Sequence, residues 1–354
     1  MTYYPLRERK NKVYIEDATI LPENDSFPLA DEQEVWIDAL CDEILEARRN
    51  KHPVILAFGA HAIKNGLGQL LGRLAEEGYF THLATNGAGI IHDWEFAYQG
   101  RSSEDVKANV AEGKFGTWEE TGFSLNLALA VGAFEGCGYG ESIGKMIEED
   151  GVMIPTQEEL LETSLDQSAS FEKRSGALDL LDLIVKLDLQ PGWLGIDHPY
   201  KEYSLQHCAY VNHVRFTGHP MFGHDIIYTH KANRGSAIGR TAERDFLAFV
   251  DSIARLERGV YLSVGSAVMS PMIFEKALSM VRNTGVRIDH AVIRVVDLQK
   301  GTWDWNRGEP PEDNPAYYQR FMKTFSRMGL ESHYLRIDNR SLFVNLYTAL
   351  KRKG

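Results

Sequence analysis

Residues 54–93, VILAFGAHAIKNGLGQLLGRLAEEGYFTHLATNGAGIIHD, constrain the fold more than any other stretch of this chain. A five-residue apolar run, 54–58, enters a glycine-bearing loop at 59–66. Leu67, Leu70, Leu71 and Leu74 then recur at helical spacing. A second apolar run, 81–85, breaks into Asn86-Gly87-Ala88-Gly89. The order is strand, loop, helix, strand, loop: a βαβ unit with small residues at both strand exits. Exits of this kind form crevices in which backbone N–H groups and helix N-termini face phosphates. The segment Gly87-Ala88-Gly89-Ile90-Ile91-His92 begins like G-x-G-x-x-G but ends in histidine, so the dinucleotide fingerprint is not met. A tight strand-to-helix turn accounts for Gly87 and Gly89 equally well.

Charge and cysteine usage narrow the function classes. A formal net charge of −12 over 354 residues argues against unaided binding to nucleic acid or an anionic membrane. It suits a small cationic substrate, as well as plain solubility. Cys41, Cys137 and Cys208 stand far apart with no CxxC pair, which points to a reducing compartment. The first residues, MTYYPLRERKNK, contain no apolar leader core, and no run of about 20 apolar residues occurs. The expected location is cytoplasmic.

Residues 1–30 are polar and Pro-punctuated and read as an arm over a body, with a helix predicted from Asp31, where Asp31 and Glu34 resemble a capping box. Residues 102–113 read as polar helical turns, and 119–149 as a long, mostly helical, small-residue-rich stretch suited to close helix packing, against another subunit among other options. Helices are predicted near 156–164 and 176–187. Further strands are predicted at 211–217, 225–229, 260–264, 291–296 and 333–337, with helices between. With no long linker, residues 1–354 read as a single α/β domain on a mostly parallel sheet flanked by helices, with residues 1–50 as an N-terminal helical arm.

Several motifs fail on context. Gly140-Glu141-Ser142-Ile143-Gly144 matches G-x-S-x-G, but the preceding residues read as helix and loop rather than the strand a nucleophile elbow requires. Gly144-Lys145 lacks the remainder of a P-loop. His207, His213, His219, His224 and His230 crowd together without paired ligand spacing, so no metal is expected. Gly265-Ser266-Ala267 is a second strand-to-helix exit, and Gly301-Thr302-Trp303-Asp304-Trp305 a third. Two tryptophans beside an acid at that third exit can attract an ammonium group, or can simply fold onto the body.

The ordered set of exits resembles deoxyhypusine synthase and its bacterial relatives from about residue 52 onward. The resemblance rests on Asn65-Gly66-Leu67, on residues 85–93 (TNGAGIIHD), on residues 223–230 (GHDIIYTH), on Gly265-Ser266-Ala267-Val268, and on Asp338-Asn339 followed by Ser341-Leu342-Phe343. It implies a Rossmann-like fold, NAD as cofactor, and a homo-oligomer, dimer or tetramer, with sites between subunits. It also implies that Asn86, Gly87, Asp338 and Asn339 contact NAD, and that Asp225, with Asp304, holds a substrate amine. Two departures matter. The family's catalytic histidine register reads Ser270-Pro271 here, and Phe321-Met322-Lys323 stands only loosely for the segment carrying its nucleophilic lysine. In that register Tyr317 replaces an acidic substrate residue, leaving Glu309 or Glu312 as substitutes. The expected activity is therefore an NAD-dependent transferase or amine-oxidising enzyme acting on an amine or polyamine-like substrate, other than the ordinary synthase reaction. His230 or His224 serves as base and Lys323 as the candidate nucleophile. The competing expectation is a non-catalytic cofactor-binding or assembly protein on the same fold.

Overall fold

The computed structural model describes residues 1–301 and 303–354. Six strands, β1 (Val54–Phe58), β2 (His82–Asn86), β3 (Arg215–His219), β4 (Val260–Val264), β5 (Val292–Asp297) and β6 (Glu331–Arg336), form one sheet. Its order is β6-β5-β4-β1-β2-β3, and all neighbouring pairs run parallel. This is a Rossmann-like α/β fold, in which the chain works outward from β1 in one direction and then from β4 in the other.

β1 is apolar throughout, and β4 is interrupted only by the buried Ser263, because both sheet faces are covered there. Val54, Leu56 and Phe58 of β1 join the core formed with helices α1 (Asp31–Arg49), α2 (Gly68–Glu76) and α3 (Gly87–Gln99). Ile55 and Ala57 point the other way, into a second core. There they meet α6 (Gly235–Ala254) and α7 (Met269–Asn283), the helices preceding and following β4. Between β2 and β3 the chain inserts α3, α4 (Glu119–Glu135), α5 (Tyr139–Glu149) and further helices, and the last helix, α8 (Asn339–Lys353), packs beside α1.

Several local expectations are corrected. The helix at 31 is capped by Ala30, whose N–H donates to the Gln33 side chain at 3.0 Å, so Asp31 is the first helical residue and not the cap. The mostly helical stretch 119–149 divides into α4 and α5, as its loop-like Gly136-Cys137-Gly138 allows, because Gly136 turns left-handed at φ 99° and ends α4. The small residues of α4 are buried within the chain itself, from Leu125 to Val131 without interruption. Residues 102–113 hold the strand Arg101–Glu104 followed by the helix Val106–Ala111. The strand expected at 211–217 begins only at Arg215, after the helix Leu205–Val211, and 225–229 is a 3-10 turn, Ile226–Thr229. Ser142 lies inside α5 and donates to the Gly138 carbonyl at 2.5 Å, which removes the hydrolase elbow.

The arm binds across the body rather than hanging from it. Its strand Asn11–Tyr14 pairs antiparallel with Arg101–Glu104, and Leu6 is fully buried. That pairing carries Arg9 into the molecule beside α3.

Candidate functional site

Two clefts open at the carboxyl ends of the strands. They meet at the helical turn His61–Lys64 that follows β1: His61 lines one and Lys64 the other. Here the exits of β1 and β4 touch backbone to backbone. A Cβ on Gly59 would sit 2.1 Å from the Gly265 carbonyl oxygen, so no other residue fits without moving a strand. This is the switch point of the topology, where open α/β sheets hold ligands.

The first cleft, of about 200 Å³, lies over β4, β5 and β6 and brings together Asn65, Gly265, Asp297, Asp338 and Asn339. Asn65 Nδ2 donates to Asn339 Oδ1 at 2.9 Å. Asp338 caps α8 by accepting from the Arg340 N–H at 2.9 Å. Burial pushes its carboxyl up, but the Arg340 hydrogen bonds and charge outweigh this, so it titrates below its ordinary range.

The second cleft, also about 200 Å³, is bordered by one stripe of α3, residues Ala88, Ile91, His92 and Glu95, spaced as a helix face requires. Arg9 and Glu95 form a buried two-pronged ion pair at 2.7 and 2.6 Å. Glu95 also accepts from the Thr121 hydroxyl at 3.0 Å and from the Ser102 hydroxyl. Burial opposes ionisation of Glu95, yet the Arg9 charge and these donors hold it below the usual carboxylate range.

That ionised carboxylate fixes the proton positions around it. The Ser102 hydroxyl is spent on Glu95, so its oxygen accepts from His92 Nδ1–H at 2.7 Å. His92 is therefore the Nδ1–H tautomer, and its Nε2 lone pair is left for the cleft. Burial lowers the imidazole to about 4, against a raising effect of Glu95, which keeps it neutral, with Nε2 unprotonated, at neutral pH. Ser103, on the same wall, holds a left-handed φ of 71°, a strained backbone of the kind found at functional sites.

Asp225 enters the second cleft from the loop after β3, at the cap position of the 3-10 turn. Its carboxylate lies flat on Gly87, where a Cβ would meet Oδ2 at 2.2 Å. No lysine or arginine among the described residues pairs with it. Burial pushes it up to about 6, only partly opposed by the Met221 backbone, the His224 charge and the nearby Tyr228 hydroxyl. A carboxyl raised on folding binds more protons in the folded than in the unfolded state, so stability falls as pH rises through that window. Asp225→Asn should therefore unfold at higher urea than the wild type at pH 7.5, by an amount on the order of 2 kcal/mol. The two should converge at pH 4. Equal midpoints at pH 7.5 would show that the carboxylate carries no such strain.

The residues expected from sequence divide into two groups. Asp338 and Asn339 meet in the first cleft; His224 and Asp225 meet in the second. Asn86 ends β2 and caps α3 by accepting from the Gly89 N–H at 2.9 Å, and Gly87 is covered by Asp225. The others lie elsewhere. His230 is buried under Tyr3, with Nδ1 accepting from the Ala232 N–H and Nε2 3.3 Å from Glu119. Lys323 stacks over the Tyr317 ring, 3.8 Å from Glu309, and lines neither cleft. Asp304 and Glu312 are exposed on the segment between β5 and β6, and Thr302 lies outside the described residues. His92, Glu95, Ser102, Arg9 and Lys64 are site residues that the sequence reading passed over. A His-x-x-Glu pair in the helix after a small-residue exit is the signal that points to the first two.

No family model matches the sequence, and no curated protein matches it. Solved structures give a distant likeness of architecture. AgrE, crystallised with L-arginine, is 13% identical with a TM-score of 0.45 over 92% of this chain. This chain spans about a third of AgrE's length, 34%. An LOR/SDH protein from Methanococcus maripaludis S2 is 12% identical with a TM-score of 0.44, covering 93% of this chain and 73% of that one. A candidate deoxyhypusine synthase from Entamoeba histolytica is 10% identical with a TM-score of 0.42, covering 92% and 90%.

Proposed function

We propose that this chain is an NAD-dependent enzyme that oxidises a small cationic amine at the carbon beside its nitrogen, on a deoxyhypusine synthase-like frame. The observation that carries the reading is the second cleft. It holds in one cleft, at the exits of β2 and β3, an imidazole with a fixed tautomer and a carboxylate that no lysine or arginine among the described residues pairs with.

The first cleft carries groups suited to a nucleotide's ribose. Carboxylates and amides (Asp338, Asp297, Asn339, Asn65) are the groups that bind ribose hydroxyls, and Gly59 and Gly265 keep the crevice floor free of side chains. When bound, NAD supplies acceptance of a hydride. The chain's own residues do the rest. Asp225 holds the ammonium end, because a buried cation needs a partner. His92 Nε2 takes the proton from the reacting nitrogen, and the charge that develops is stabilised through Ser102 by Glu95. Carbon loses a hydride and nitrogen a proton, leaving an imine that is trapped or hydrolysed. Assembly into a dimer or tetramer belongs to the same reading, and Phe171, 84% exposed, with Trp193 and Met153, gives apolar surface for it.

The test is thermal unfolding with and without millimolar NAD, followed by an amine panel read at the reduced-nicotinamide absorbance band. Ligand at about 100 times its Kd adds about 2.7 kcal/mol, which raises the melting temperature by several degrees. A shift with hydride transfer supports the enzyme. A shift without transfer to any amine favours the non-catalytic reading, and no shift removes NAD.

A further inference from the structure

We infer that the second cleft takes a basic amino acid, with two cationic nitrogens and one carboxylate, rather than a polyamine. This rests on reading that cleft as the substrate site, and it follows from the charges the protein leaves unsatisfied there.

Five ionisable groups besides the histidines line the cleft: the cations Arg9 and Lys64, and the carboxylates Glu95, Glu104 and Asp225. Arg9 and Glu95 satisfy one another. Glu104 is buried and receives only neutral donors, Trp118 Nε1 at 3.0 Å and Asn109 Nδ2 at 2.5 Å. No lysine or arginine among the described residues pairs with Asp225. Lys64, half-buried on the turn after β1, makes no hydrogen bond or ion pair with any described residue. One positive and two negative groups thus face the cleft without an oppositely charged partner among the described residues.

The complementary ligand carries one negative and two positive groups. A polyamine satisfies Glu104 and Asp225 but presses ammonium groups against the Lys64 ammonium in a partly desolvated space, where like charges repel more strongly than in water. A basic amino acid places its carboxylate on Lys64 and its two nitrogens on the acids. It also leaves the cleft neutral, since the protein contributes two cations against three carboxylates.

Calorimetric titration of the whole chain with matched pairs that differ only in the carboxylate tests this without NAD: L-lysine and cadaverine, L-ornithine and putrescine, L-arginine and agmatine. In at least one pair the amino acid should bind about tenfold or more tighter, the worth of a charge-assisted hydrogen bond. Lys64→Met should erase that preference while leaving or improving affinity for the amine, and Lys64→Arg should keep the preference. Amines binding as tightly as amino acids, a preference that survives Lys64→Met, or no binding in any pair would overturn the inference. Failure of the enzyme reading looks different. Amino acid binding with no hydride transfer on adding NAD removes the reaction and keeps the ligand; hydride transfer from amines alone keeps the reaction and removes the ligand.

Discussion

Glu95→Ala is expected to destabilise the fold by about 3–5 kcal/mol, because it strands a buried charge. The Arg9 and Glu95 side chains are 2% and 1% exposed. Arginine cannot escape by losing its proton, so the guanidinium must stay charged without a partner or leave the core. Leaving means peeling the arm from the strand Arg101–Glu104, since Arg9 lies two residues before the paired strand. The damage should thus be local first. Hydrogen exchange should quicken over residues 1–20 before it does in β1 or β4, with the urea midpoint falling at the same time. Replacing both partners, Arg9→Met with Glu95→Leu, should recover much of the loss, because burying matched apolar groups avoids desolvating two ions. A cost below about 1 kcal/mol for Glu95→Ala, the range of surface pairs, would show that the pair is solvated in solution.

The sequence was most legible where both faces of a strand are buried. β1 is a continuous apolar run and β4 an apolar run broken only by Ser263, and their bounds match expectation at both ends. The run at 225–229 reads as strand by composition, yet β3 has already taken the sheet edge at 215–219, and Asp225 caps a 3-10 turn instead. Only tertiary context separates the two outcomes. The site shows the same division. Asp225, Asp338 and Asn339 stand at strand exits, where the topology delivers them to the crevice. His92 owes its role to groups remote in the chain. Ser102 arrives on a strand paired with the arm, and Arg9 is 86 residues from Glu95. No local pattern announces that Ser102 will spend its proton on Glu95 and thereby fix the histidine tautomer. The Glu309 partner of Lys323 and the buried contacts of His230 were invisible for the same reason, and both residues lie outside the clefts.

His92→Gln should lower turnover by about 10²–10⁴-fold, the range for loss of a positioned general base. Glutamine can still hydrogen-bond Ser102, so the wall of the cleft should hold and the NAD-dependent rise in melting temperature should persist. A second readout reports the neutral imidazole directly. A histidine lowered on folding binds fewer protons than in the unfolded chain, so below about pH 6.5 the wild type loses stability as acid protonates the unfolded chain in preference, down to about 4. His92→Gln should lack that part of the acid loss, a pH effect opposite in sign to that of Asp225→Asn. His224→Gln and His230→Gln are the controls. His224 lines the same cleft but is exposed, and His230 is held under Tyr3 by the Ala232 N–H. If either control cost more turnover than His92→Gln, the base would lie there, and the Glu95–Ser102–His92 chain would be only a strut joining the arm to α3.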